Sequence, residues 1–215
     1  MLKALLLISL ASLPLLGRAQ STPPAVGFYA GAALSVQTGQ PFNEYASTRL
    51  GPALTVGARL RSRLALQLSS AYNQQHGTYH GSYLAYGGLV VEDNDTHRYT
   101  FTLPLLLRAT LNAPASRWHV DALAGPTLQV YFTHQDYLQT TQGQVTRSGT
   151  SNYVETQVSL TLGPGVRYAL TPHLELAATA LANLNVSGFP YTLLAPISNQ
   201  FDSHVLAGVQ YRFGP

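Results

Sequence analysis

From Phe28 to Phe213 the chain returns again and again to one pattern, with an apolar side chain at every second residue. A period of two is the signature of a β-strand with two unlike faces. The runs are about ten residues or more, longer than the five or six of an ordinary globular strand. That length suits a tilted strand crossing the hydrocarbon of a membrane. The first run sets Phe28, Ala30, Ala32, Leu34 and Val36 against Tyr29, Gly31, Ala33, Ser35 and Gln37. The last sets Val205, Ala207, Val209, Tyr211 and Phe213 against His204, Leu206, Gly208, Gln210 and Arg212. Six more begin at Leu50, Leu64, Tyr99, Trp118, Val154 and Leu174. The expected fold is all-β: an eight-stranded antiparallel transmembrane β-barrel, wound as a meander, with apolar faces toward lipid and polar faces toward the lumen.

The start of the chain reads as a secretion signal over 1–19. Lys3 gives the positive start, Leu5 to Leu16 an apolar stretch too short to span a bilayer, and Gly17-Arg18-Ala19 the small residues of a cleavage site. Residues 20–215 then form one barrel domain. No later run is apolar enough for a transmembrane helix, so a closed barrel is the way this chain crosses a membrane. There is no cysteine, which excludes disulfides, thiolate metal sites and lipid attachment through sulfur. Loss of Lys3 and Arg18 lowers the formal charge from +3 to +1, and every remaining fixed cation is an arginine. No basic run marks a nucleic-acid surface.

Connections alternate in length. Arg61 to Arg63, Asn112 to Ser116 and Leu170 to Pro172 are short; Thr38 to Ser47, Gln74 to Thr96, His134 to Asn152 and Ser187 to Asp202 are long. Short periplasmic turns and long extracellular loops are the usual barrel arrangement, and an even strand count puts both termini in the periplasm. Phe28, Tyr72, Tyr99, Phe101, Trp118, Phe132, Tyr168, Tyr211 and Phe213 fall near strand ends on the outward faces, as two interfacial girdles would. Gly51-Pro52, Gly125-Pro126 and Gly163-Pro164 interrupt strands. Because a closed barrel has no edge to hide a missing N–H, each is expected at a bulge or bend.

Charges sort by face. Asp121, Glu155 and Glu175 fall inward, as do Arg59, Arg98, Arg108, Arg167 and Arg212, because a charge facing lipid near the midplane costs roughly 2–4 kcal/mol. Hairpin arithmetic sets Arg108 opposite Asp121 and Arg167 opposite Glu175. With Arg59 and His119, these residues form the expected polar network of the lower lumen.

Seven histidines invite sharper readings. His97, His134 and His204 lie near strand tops, in possible reach of serines and Glu155, but no Gly-x-Ser-x-Gly elbow accompanies them, so no catalytic residue is expected. His76 and His80 have helical spacing in a glycine-containing stretch without helical pattern, which reads as a polar loop; neither metal nor cofactor is expected. The Tyr- and Gly-rich segment from Tyr79 to Gly88 suits either a contact surface or a prolongation of its hairpin, over Ser82 to Val91, above the membrane. Phe189 to Ile197 is apolar for a loop, which suits folding onto the rim or binding a partner.

Phe101-Thr102-Leu103-Pro104-Leu105-Leu106-Leu107-Arg108, Ala124-Gly125-Pro126, Leu162-Gly163-Pro164-Gly165-Val166-Arg167-Tyr168 and Gly208-Val209-Gln210-Tyr211-Arg212-Phe213 together resemble the small outer-membrane β-barrel family, PorT-like and akin to OmpX-type barrels. The resemblance spans the chain after residue 19 and implies fold and compartment more than activity. The expectation is a monomeric, non-enzymatic barrel in contact with outer-membrane lipid and lipopolysaccharide. The assembly machinery would insert it, and segments 74–96 and 187–202 would meet an extracellular partner. A narrow porin-like channel, a lipid-modifying enzyme and a soluble lipocalin-like barrel with its faces reversed are the rival readings.

Overall fold

The computed structural model describes residues 27–39, 47–113, 116–187 and 201–213. The segments 1–19 and 188–200, on which the signal-peptide and apolar-loop readings fall, lie outside them. Eight strands follow one another: β1 (Gly27–Gly39), β2 (Ser47–Arg59), β3 (Leu64–Ala85), β4 (Gly88–Thr110), β5 (Trp118–Thr141), β6 (Gln144–Ala169), β7 (Leu174–Asn185) and β8 (Phe201–Phe213). Each pairs antiparallel with the next, and β1 closes on β8 from Phe28↔Phe213 to Gly39↔Asp202. The closed ring leaves no edge at this level, which satisfies the demand of hydrocarbon that every backbone group be paired.

Side chains divide as the alternation dictates. Leu105 is 42% exposed and Leu176 44%, whereas Thr102 is 0% exposed inside. This is the arrangement of a membrane barrel and the reverse of a lipocalin. An arginine at Leu105 is therefore expected to cost about 2–4 kcal/mol. An arginine at the exposed Ser82 should change stability by no more than about 0.5 kcal/mol. Urea unfolding in lipid vesicles measures both. Two aromatic clusters flank the apolar band. Trp118 packs at a tilt against Tyr168 (4.7 Å) and Tyr211 meets Phe213 edge to face (5.1 Å) at the short-turn end; Tyr72, Phe101 and Phe132 form a chain at the other.

Two of the expected long loops are strands. β3 runs to Ala85 and β4 starts at Gly88; β5 runs to Thr141 and β6 starts at Gln144. The segments 74–96 and 134–152 are therefore continuous hairpins, turned by Tyr86-Gly87 and by Gln142-Gly143. Gln142 (φ 52) and Gly143 (φ 79) both take positive φ, the two-residue turn whose twist matches its flanking strands. The prolongation weighed for Ser82 to Val91 extends over the whole of 74–96. Above Ala71, β3 leaves β2; above Ser159, β6 leaves β7. What rises beyond the ring is a four-stranded flange, β3-β4-β5-β6.

The Gly-Pro pairs are not bulges. Among the described ladders the register shifts only between Gln139 and Thr140. Pro52, Pro126 and Pro164 keep their partners Leu34, Leu160 and Ala122 on one side. On the other side the ladder lapses and resumes in, or begins in, unchanged register. The missing N–H is absorbed by a local gap, not by an inserted residue.

Candidate functional site

The lumen is filled in three tiers. At the short-turn end, Arg167 is the hub. Its Nε and Nη2 donate to the two oxygens of Asp121 (2.6 and 2.9 Å), and its Nη1 donates to Glu175 (3.1 Å). Thr110 donates to Asp121 (2.7 Å), and Arg212 bonds the other oxygen of Glu175. Arg108 forms a separate group: it donates to Gln67 and to Gln210 (3.4 Å) and lies 4.7 Å over the Tyr29 ring. His119 sits opposite Arg167 in the ladder, buried, and its Nδ1 has no hydrogen-bond partner among the described residues. Arg59 lines a cavity of about 60 Å³ at this mouth, with Arg61, Arg108 and Arg212.

Of the six residues expected to form the network, the fold brings Arg167, Asp121 and Glu175 into one cluster and gives Arg108 other partners. Arg108 faces Leu123, and Asp121 faces Thr110. The register is centred one residue further along the turn than the hairpin arithmetic set it, and the Asn112 side chain bridges the neck: Oδ1 accepts from Val120 N (3.0 Å) and Nδ2 donates to the Trp118 carbonyl. Likewise Glu175 pairs with Ala169, and Arg167 reaches it diagonally, because the Thr171 hydroxyl accepts from Leu174 N (3.0 Å) and sets the turn. Arg212, Thr110, Gln67, Gln210 and Tyr29 were missed as members; their inward parity was the available signal.

The middle tier is apolar. Ala53, Ala71, Leu106, Leu123, Leu181 and Leu206 pack together, with Pro104 also buried. Above it lies a second polar tier. Asn183 and Gln129 both donate to Asp202, Thr161 donates to Asn183 (2.6 Å), and Arg49 donates to Thr100 (3.1 Å). Ser35 Oγ lies 2.6 Å from His204 Nε2. This serine–histidine contact is enclosed on all sides, whereas His97 and His134 lie outside on the flange.

On the flange's outward face, cross-strand pairing arranges residues that sequence reading assigned to loops. His76, His97 and His134 form one row across β3, β4 and β5; Thr78, Asp95 and Asp136 form the next. The row follows directly on the upper aromatic cluster, since His97 and His134 are the next outward positions after Tyr99 and Phe132. The Asn152 amide oxygen (2.6 Å from Nδ1) and the Asp136 carboxylate hold the His134 ring above its usual pKa. The Thr150 hydroxyl, then His134, lower that of Asp136.

A family model for the outer membrane protein beta-barrel domain matches residues 4–213. The chain belongs to this outer-membrane β-barrel family. It is similar in structure to a major outer membrane protein of Thermus thermophilus, with TM-score 0.52 and 15% identity over 88% of this chain and 100% of that one. It also matches OprG of Pseudomonas aeruginosa (TM-score 0.49, 11% identity, 89% and 97% covered). A third match is Ail, the attachment invasion locus protein of Yersinia pestis (0.42, 15%, 87% and 97%). No curated protein sequence matches the chain. Family membership places the chain in the outer membrane of Gram-negative bacteria.

Proposed function

We propose that this outer-membrane barrel is a non-conducting, non-enzymatic anchor whose flange makes surface contacts outside the cell. Both termini then face the periplasm, as the short turns at their end and the long hairpins opposite favour. The observation that carries the reading is the closed lumen: a belt centred on Leu106 and Leu123 separates the two polar tiers. Eight strands enclose a bore that side chains can fill, and an apolar belt offers no stepping stones for a hydrated ion. The enclosed Ser35–His204 pair supports the non-enzymatic part, since a nucleophile needs an approach for its substrate. The flange, not 74–96 as a loop, is the contact element; its rigid hairpins lose less freedom on binding than mobile loops would. Lipid and lipopolysaccharide surround the apolar band, the assembly machinery inserts it, and the closed ring suits a monomer.

In planar bilayers the wild-type protein is expected to give no stable open-channel steps. Shortening the β3–β4 hairpin above Gln74 should leave heat-modifiable gel mobility intact while abolishing attachment of the bacteria to host-cell or glycan surfaces. Steady conductance would defeat the closed-lumen reading, and undiminished attachment would defeat the flange reading.

A further inference from the structure

The geometry points to a divalent transition-metal site on the outward face of the flange, which we propose is held by His76, Asp95 and His97. One nitrogen or oxygen from each of the three side chains lies within 4.8 Å of the others. Asp95 Oδ1 lies between two imidazole Nε2 atoms, 2.6 Å from His76 and 3.8 Å from His97. The second distance is too long for a hydrogen bond. Donors around a tetrahedral ion stand about 3.4 Å apart, given metal–ligand bonds of about 2.0–2.1 Å, so small side-chain rotations close this set on a metal.

The backbone presets the arrangement. His76 and His97 are direct cross-strand partners, and their rings stack at 4.3 Å and 7°. Asp95 lies two residues along β4 from His97, hence on the same face. Three ligands on two hydrogen-bonded strands keep their spacing with little ordering cost on binding. Two imidazoles and one carboxylate suit zinc, copper or nickel, whereas calcium and magnesium want oxygen donors. A surface ion pair would need only one histidine against Asp95. Here a second ring is brought to the same oxygen, and a third, His134, stands beside it in the row. His76 is exposed and Asp95 and His97 are half-buried, which leaves room for water to complete the coordination.

Metal binding by these three side chains is independent of what the flange contacts. The full chain, folded in detergent micelles, is titrated with Zn²⁺ alone by calorimetry and with Co²⁺ alone by visible absorption. The expected result is one equivalent bound, an intense tetrahedral cobalt band, and a Kd weakened at least about tenfold by His97→Ala, His76→Ala or Asp95→Asn. His173→Ala, at the opposite end of the barrel, should leave the Kd unchanged. The variants alter exposed or half-buried surface residues, and heat-modifiable mobility verifies that each has folded. No binding up to millimolar Zn²⁺, or binding equally strong in His97→Ala and wild type, overturns the assignment.

Discussion

Replacing Arg167 with methionine is expected to lower the unfolding free energy by about 3–5 kcal/mol. The guanidinium donates to Asp121, Glu175 and Thr110 from a position where it and both carboxylates are almost fully enclosed. Removing it leaves Asp121 with the Thr110 hydroxyl, and Glu175 with Arg212. An anion stranded in a narrow lumen has lost its hydration and most of its compensation, and that deficit sets the size of the effect. The deficit also makes a second, sharper expectation. Adding Asp121→Asn to Arg167→Met should recover part of the loss, because the double variant no longer buries an uncompensated carboxylate. Equilibrium urea unfolding in vesicles reads both numbers. A double variant that is less stable than Arg167→Met alone would mean that Asp121 is solvated or compensated elsewhere.

The face each residue takes was legible because parity survives errors in register. Arg108 and Asp121 were expected to face each other, and they stand two residues out of line; yet a slip of two keeps both inside. The partner exchange was not legible, because it turns on Asn112 and Thr171, short polar side chains that clasp the necks of two turns. The apolar belt is half visible in the sequence: Pro104 and Leu106 share the inward parity of Thr100, Thr102 and Arg108, but their neighbours Leu123, Leu181 and Leu206 come from three other strands. The flange was hidden by composition. Histidine, aspartate, glycine and tyrosine read as loop, whereas a ladder needs only paired backbone groups, and the cross-strand partners here are mutually compatible. Reading His76 and His80 for helical spacing therefore missed His97, twenty-one residues further on in the sequence and directly across the hairpin.

The three Gly-Pro pairs carry the other large expectation. In each, the residue opposite the proline on the lapsed side offers a carbonyl that proline cannot satisfy. That carbonyl lies instead over the preceding glycine. A methyl added at Gly163 would sit 1.9 Å from the Ala180 oxygen, at Gly51 1.7 Å from that of Tyr72, and at Gly125 2.1 Å from that of Leu105. The obstruction is backbone in every case, held by its own strand within a closed ring, so no side chain can swing aside. Gly163→Ala is expected to cost about 3 kcal/mol, the upper end for forcing a methyl into a filled site. Gly77→Ala, where an added methyl meets nothing within 4 Å, should be neutral or stabilising by about 0.5 kcal/mol, since alanine gives up less chain freedom than glycine. Urea unfolding, with heat-modifiable mobility as the check on assembly, compares the two. If Gly163→Ala proves as mild as Gly77→Ala, the strands can part there freely, and close carbonyl approach is not why glycine precedes these prolines.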